Sequence, residues 1–240
     1  FNEWLCLKFM KELGFNVAKA DIVTFANHPP VLVVERFDRK EHSSGKWLLR
    51  LPQEDFCQAL GISPHRKYEA DKGPRIEQLA QVLSASQNAR ADLRTLLASQ
   101  VAFWLLAATD GHAKNFSIHL YARGSYALTP MYDVLSAWPI IGNGKYQLAW
   151  RDAKLAMSVS GKNRHYALAT IMRRHFNSTA AKCGWGADAE DIINELLEKV
   201  EPAIAAVENL LPASFPEDVA TSILAGIRLQ AQKLKNQPSS

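Results

Sequence analysis

Apolar residues recur at helical spacing along most of the chain, and this pattern predicts a mainly helical protein. Residues 2–14 form the first predicted helix, and Gly14 stands where a left-handed helix cap is expected. The same periodicity predicts helices over 75–85, 90–108, 152–158, 164–175, 188–209 and 216–235. For the last of these, "SFPE" at 214–217 has the form of a capping box with a proline in the first turn.

Two parts of the chain have the pattern of β-structure. "PPVLVVERFDR" (29–39) changes abruptly from apolar, mostly β-branched residues to charged ones, which predicts a strand buried on both faces. "KWLLRLP" (46–52) is its expected hairpin partner, joined to it by the polar "KEHSSG". A second hairpin is predicted from "FSIHLY" and "SYALT", which "ARG" separates, whereas residues 54–71 show no regular pattern.

The composition is that of a globular protein with one large domain or two small ones, since 48% of the 240 residues are hydrophobic and 22% are charged. The formal net charge of +4 does not by itself indicate a nucleic-acid binder. Cys6, Cys57 and Cys183 are too scattered to suggest disulfides or a zinc site. Neither a long apolar span nor a signal peptide is visible. We expect a cytoplasmic protein with no membrane partner.

The polar stretch "TDGHAKNFS" (109–117) directly follows the apolar helix predicted over 90–108. Asp110 and Asn115 lie five positions apart in it, and Asp133 follows the predicted hairpin. Protein kinases place a catalytic Asp, an Asn five residues later and a metal-binding Asp after a short hairpin. The order and the first spacing match, although Asp-Gly is also a common turn dipeptide and such an Asp/Asn pair often occurs by chance.

These residue types suit phosphoryl transfer. A carboxylate such as that of Asp110 can orient an acceptor hydroxyl and accept its proton. Mg²⁺ prefers hard oxygen ligands, which Asn115 and Asp133 would supply. Lys114 lies where a cation could neutralise the transferred group, and His112 could hold the loop or contact the phosphates.

Longer strings carry a more specific signal. The chain resembles the HipA family of serine/threonine kinases, the toxin halves of bacterial HipBA-type toxin–antitoxin pairs, from about Glu3 to near Leu234. The strings that match in order are "VERFDR", "LRLPQEDFCQALG", "KYEADKGP", "ATDGHAKNFSIHL", "LTPMYDVLSA" and "DAKLAM".

The resemblance implies an α+β, protein-kinase-like fold: mainly the helical C-terminal lobe, with a hinge strand and a short hairpin at the catalytic site. Residues 1–52 would be the end of the N-terminal lobe and the hinge region, and 53–240 the catalytic lobe. It also implies ATP- and Mg²⁺-dependent phosphorylation of a translation-related protein, of the aminoacyl-tRNA synthetase class, which arrests growth.

The resemblance also assigns site residues by position. Asp110 matches the catalytic aspartate, and Asn115 and Asp133 match the magnesium ligands. The matched nucleotide-contacting positions are the hinge residues Glu35, Arg36 and Phe37, the loop residues His112, Ala113, Lys114 and Asn115, and the segment Tyr132, Asp133, Val134 and Leu135.

Two parts of a kinase are not found in the sequence. The first 60 residues contain only Gly14 and Gly45, so no glycine-rich loop precedes the hinge, and "VLVVERF" carries no lysine. In the family these parts lie upstream. Since the sequence starts with Phe1 rather than Met and enters a predicted helix at once, we expect a fragment of a longer protein. The chain alone is then expected to have little or no kinase activity.

Two other functions compete with that of a kinase. A truncated, inactive lobe would only bind the antitoxin and operator DNA. A small-molecule phosphotransferase would share the Asp/Asn/Asp pattern but not the long strings.

Basic residues cluster in the C-terminal half: Lys162, Arg164, Arg173, Arg174 and Lys182, with His165 and His175 among them. The family resemblance implies a helix-turn-helix antitoxin of the HipB type as partner, and operator DNA bound through that complex. Lys182, Arg173 and Arg174 are the candidates for phosphate contacts. A solvated helix face would explain the same cluster equally well.

Overall fold

The computed structural model describes residues 1–26 and 28–239. Its helices are α1 (Asn2–Glu12), α2 (Phe56–Ala59), α3 (Ile76–Leu83), α4 (Ala89–Leu106), α5 (Arg173–Lys182), α6 (Glu190–Leu210) and α7 (Glu217–Lys235). Its strands are β1 (Ala20–Val23), β2 (Val31–Val34), β3 (Arg39–Glu41), β4 (Leu48–Arg50), β5 (Gln53–Asp55), β6 (Ser117–Leu120), β7 (Tyr126–Leu128), β8 (Lys154–Ser160) and β9 (Arg164–Ala167). Within the described ranges, no helix is both long and apolar enough to cross a membrane.

Helix α4 is the centre of the fold. It packs against α3, α5, α6 and α7, while α1 packs against α6. Because α4 is apolar on nearly all sides, it can be surrounded in this way. Trp104 is fully buried, and its indole N–H donates to the carbonyl oxygen of Leu168 at 3.0 Å. The helix ends at Ala107, which has a left-handed conformation with φ 49°. The polar stretch 109–117 therefore begins directly at the C-terminal end of this buried helix.

The strands form four small antiparallel sheets: β1-β2, β3-β4, β5-β6-β7 and β8-β9. The hairpin predicted after the polar stretch is confirmed as β6 and β7. Strand β5 adds to it from a region where the sequence showed no pattern, with Asp55 opposite Ser117. This third strand brings the segment around residue 55 to the polar loop.

The predictions for the first hairpin are partly wrong. Val31 and Val33 are 41% and 46% exposed, so β2 is not buried on both faces. Strand β2 pairs with β1, and β4 within "KWLLRLP" pairs with β3 instead. The reason is Asp38, which is buried and accepts hydrogen bonds from Arg36, so the chain turns here and does not continue as one strand.

Two predicted helices are also wrong, because residues 154–160 and 164–167 form the hairpin β8-β9 and α5 begins only at Arg173. Distant groups hold the hairpin: the Ser158 N–H donates to the Glu69 carboxylate at 2.7 Å. Such tertiary contacts override a local helical pattern. The other five predicted helices are confirmed, and Gly14 has the expected positive φ of 102°. The capping box at α7 is wrong, since Pro216 is the N-cap and no side chain caps the helix.

Gly226 in α7 lies directly against the ring of Trp138. A Cβ at this position would lie 2.2–2.5 Å from three ring atoms. Trp138 cannot yield easily, since it stacks on Trp150 and its indole N–H donates to Leu105 at 3.0 Å. We therefore expect Gly226→Ala to lower the free energy of unfolding by about 1–3 kcal/mol, despite the better helix propensity of alanine. Urea denaturation measures this, and a variant more stable than the parent would contradict it.

Candidate active site

Asp110 lies on the turn that follows α4, with its side chain 55% exposed. Its carboxylate Oδ1 accepts a hydrogen bond of 2.5 Å from the Tyr68 hydroxyl, and its backbone carbonyl accepts one from the His112 N–H at 2.9 Å. Gly111 is required next to it for space, because a Cβ there would lie 2.5 Å from the Phe103 ring. Gly111 therefore packs closely against Phe103 of α4, while the carboxylate of the preceding Asp110 stays exposed.

The two predicted metal ligands lie side by side. Asn115 is buried at the end of a short 3-10 turn, and its Nδ2 donates to Asp133 Oδ2 at 2.7 Å. Asp133 is exposed and has φ 56°, a left-handed conformation that Asp tolerates better than most residues. The Asn115 oxygen accepts the His112 N–H at 3.0 Å, so this amide would have to reorient to offer Oδ1 to a cation beside Asp133.

A third acidic residue, Glu3 of α1, lies near Asp133, although it is not among the predicted site residues. Burial raises the pKa of Glu3, and the negative charge of Asp133 raises it further. No pattern within residues 2–14 signalled this, because the contact joins positions far apart in the chain. A second carboxyl group therefore lies near that of Asp133.

The donor set at this point fits Mg²⁺. Carboxylate and amide oxygens are its preferred protein ligands, and it usually takes only one or two carboxylates and keeps waters and substrate phosphates as its other ligands. In residues 1–26 and 28–239, no group of three His, Cys, Asp or Glu side chains could hold a metal ion by itself. A nucleotide-bound Mg²⁺ is the form that these residues would hold.

Lys114 is held by an ion pair with a residue that is not among the predicted site residues. Its Nζ lies 2.5 Å from Oδ2 of Asp55, whose side chain is only 13% exposed. Asp55 ends β5 and caps α2, where its Oδ1 accepts the Gln58 N–H at 2.9 Å. The Asp-x-x-Gln spacing in "QEDFCQ" is the capping-box signal that could have located this residue.

Tyr132 connects residues 114–117 of the loop with the segment that carries Asp133, through hydrogen bonds of its hydroxyl group. Its hydroxyl donates to the Lys114 carbonyl at 2.7 Å and lies 2.5 Å from Ser117 Oγ. Burial raises the pKa of Tyr132 to about 12, so the hydroxyl stays protonated. Its ring lies 5.5 Å from that of Phe37, so the structure brings the predicted hinge next to the predicted metal segment.

Two of the predicted hinge groups are already engaged. The Glu35 N–H donates to the Lys19 carbonyl at 2.8 Å and so is not free for a purine. Arg36 donates to both oxygens of Asp38 at 2.8 and 2.7 Å, and this contact lowers the Asp38 pKa to about 2.

Among the other predicted nucleotide contacts, Ala113 and Val134 are buried, so their side chains face the core and only their backbone could meet a ligand. Leu135 is 43% exposed next to Asp133. His112 is also buried, and neither of its ring nitrogens has a hydrogen-bond partner among the described residues.

The predicted basic cluster is smaller than expected. Arg173 is wrong as a DNA contact, because it is 5% exposed and its guanidinium donates to Glu190 at 2.5–3.0 Å. Arg164 is paired with Glu69 at 3.1 Å. Arg174 and Lys182 are exposed, and so is Lys162. His165 and His175 are stacked at 3.7 Å, and burial lowers the pKa of His175 to about 4, so it adds no charge at neutral pH.

Comparison with known proteins agrees with this architecture. The HipA-like C-terminal domain model matches residues 1–204. The chain is 37% identical over 136 residues to a putative kinase, Y4mE, of Sinorhizobium fredii, covering 56% of this chain and 32% of that protein. It is 33% identical over 146 residues to the serine/threonine-protein kinase toxin HipA of Shewanella oneidensis, covering 56% of this chain and 33% of that one.

The solved complex of Shewanella oneidensis HipA with HipB and operator DNA contains a similar chain, with a TM-score of 0.80 and 26% identity over 98% of this chain and 55% of that one. The aligned region thus spans about a third of the curated relatives and about half of the solved HipA chain. The family and the α+β fold inferred from the sequence strings are confirmed. The chain belongs to the HipA-like C-terminal domain family and has its protein-kinase-like fold.

Proposed function

We propose that this chain is the catalytic lobe of a HipA-type serine/threonine kinase that transfers the γ-phosphoryl group of ATP with the help of Mg²⁺. One observation carries the proposal. Asn115 Nδ2 lies 2.7 Å from Asp133 Oδ2, and the exposed Asp110 lies five residues before Asn115 on the same loop. The relatives named as kinases support the same activity.

Each group in the loop has a distinct role in this reaction. The Asp110 carboxylate orients the acceptor hydroxyl and takes its proton. Asp133 and Asn115 hold the cation, and Glu3 adds negative charge beside it. Bound Mg²⁺ supplies neutralisation of the phosphate charge. Lys114, fixed by Asp55, offers a second positive charge that phosphate oxygens can approach.

The nucleotide would lie between the hinge and the loop. We assign adenine to the hinge residues 35–37, through backbone groups other than the engaged Glu35 N–H, with Phe37 and Tyr132 as an apolar wall. We assign the phosphates to residues 112–115 and 132–135. In the proposed division, residues 1–52 carry the hinge side and 53–240 the catalytic side.

The partners follow from the family. We propose a translation-related protein substrate of the aminoacyl-tRNA synthetase class, whose phosphorylation arrests growth, and a helix-turn-helix antitoxin of the HipB type. The solved relative, a complex of HipA, HipB and operator DNA, supports the antitoxin and DNA. Arg174 and Lys182 are exposed cations on the same helix and are the proposed phosphate contacts.

The metal assignment predicts a specific loss. In the full-length protein, Asp133→Asn removes the charged oxygen ligand, and we expect Mg-ATP to bind at least about 10-fold more weakly. Isothermal titration calorimetry with and without EDTA measures this loss. The control is Asp152→Asn, an exposed carboxylate in a separate turn that should leave affinity unchanged. Equal affinity of the Asp133 variant and the parent would remove Asp133 from the metal site.

A further inference from the structure

Asp110 is held by a residue from a distant part of the chain. Tyr68 donates its hydroxyl to Asp110 Oδ1 at 2.5 Å, across 42 residues of sequence. An exposed aspartate on a turn would otherwise be free to change its side-chain rotamer. This bond selects one orientation and occupies Oδ1, while Oδ2 accepts no hydrogen bond among the described residues.

Tyr68 itself is fixed by the segment that follows it. The neighbouring Glu69 is 1% exposed at its side chain, and its carboxylate accepts the Ser158 N–H at 2.7 Å and the Ser158 hydroxyl at 2.9 Å. The Gly73 N–H donates to the Tyr68 carbonyl at 2.9 Å. A Cβ on Gly73 would lie 2.5 Å from that same carbonyl oxygen, so the turn closes too tightly for any other residue.

The ring of Tyr68 packs against His112, the residue two positions after Asp110. The buried His112 ring meets the Tyr68 ring edge to face, with centroids 5.1 Å apart at 73°. His112 Nε2 lies 3.9 Å from Asp110 Oδ1. Burial lowers the pKa of His112. The bond to Asp110 in turn raises the pKa of Tyr68.

We propose that Tyr68 is a positioning residue of the phosphoryl-transfer reaction: by holding Oδ1 of Asp110, it leaves Oδ2 directed at the acceptor hydroxyl. The proposal rests on the kinase function proposed above. Tyr68 acts through Asp110, so its hydroxyl affects the chemical step and not the binding of nucleotide. Its ring, which packs on His112, is a separate contribution to the fold.

Tyr68→Phe in the full-length protein tests this, since it removes the hydroxyl and keeps the ring. Removing one hydrogen bond to a charged group should lower kcat by about 10-fold. We expect KM for ATP to stay within about twofold, because the lost hydroxyl contacts Asp110 and none of the residues assigned to the nucleotide, while the ring that packs on His112 is kept. Autophosphorylation or transfer to a serine peptide, followed with labelled ATP, measures both constants.

The matched control is Tyr126→Phe. It removes another tyrosine hydroxyl bond, of 2.6 Å to the Val82 carbonyl, in a strand outside the catalytic loop. Three results would overturn the positioning role of Tyr68 while leaving the proposed kinase function intact. They are an unchanged kcat in Tyr68→Phe, an equal loss of kcat in Tyr126→Phe, and a rise in KM that accounts for the whole effect. A parent protein that transfers no phosphate would overturn the proposed function, and the positioning role with it.

Discussion

Asp110→Asn is expected to reduce phosphoryl transfer by the full-length protein by about 10²–10⁴-fold, the usual contribution of a general base. Asparagine keeps the size of the side chain and can still accept the Tyr68 hydroxyl, but it cannot take a proton. Among the described residues Asp110 makes no hydrogen bond to Asn115 or Asp133, the proposed cation ligands, so Mg-ATP affinity should change by no more than about twofold. The loss should therefore fall on kcat and not on binding.

Single-turnover transfer from labelled ATP, together with calorimetry of Mg-ATP binding, separates the two effects. Asp133→Asn is the matched comparison, because it is the same chemical change in the same loop system but should weaken binding. Asp71→Asn, an exposed carboxylate on the turn after Tyr68, controls for loss of one negative charge near the site. Undiminished transfer by Asp110→Asn would rule out this residue as the base.

The sequence predicts the local part of this site well. Asp110, Asn115 and Asp133 lie within 24 consecutive residues, and the hairpin β6-β7 returns the chain to the loop, so their spacing already implies their proximity. The sequence also predicts the helix before the loop, because α4 is long and apolar. Short-range geometry therefore followed directly from the residue pattern.

The residues that support the site could not be found in this way. Tyr68, Asp55 and Glu3 reach the loop from three separate segments, and only tertiary packing brings them there. No periodicity records which distant segment will lie against a loop. "KYEADKGP" and "LPQEDFCQALG" nevertheless belong to the strings that carry the family resemblance. Each string contains a residue that holds the loop: Tyr68 bonds to Asp110, and Asp55 pairs with Lys114.

The errors have a similar origin. Strand β8 carries a mixed apolar pattern over seven residues, which fits a helix or a strand, and its pairing with β9 decides between them. Arg173 and Arg174 are indistinguishable in sequence, yet one is buried and the other exposed. The difference depends on Glu190 and Asn194 of α6, which receive the buried guanidinium.

This pair of arginines gives a prediction with a large expected effect on stability. Arg173 joins α5 to Glu190 and Asn194 of α6 and lies 3.4 Å from the carbonyl of Leu234 in α7. Arg173→Met would leave the Glu190 carboxylate, which is 22% exposed, without its cation, and losing charge-assisted hydrogen bonds in such a partly buried pair costs about 2–3 kcal/mol. The free energy of unfolding from urea titration should fall by that amount.

Arg174→Met is the matched control one residue along, because this side chain is exposed on the same helix. It should change the free energy of unfolding by no more than about 0.5 kcal/mol. If the proposed DNA contact is correct, it should instead weaken operator binding by the antitoxin complex and lower the slope of log K against log salt by about 1. Equal stability of the two variants would show that Arg173 does not hold α5, α6 and α7 together, whereas an unchanged salt slope would remove Arg174 from the DNA-contacting surface.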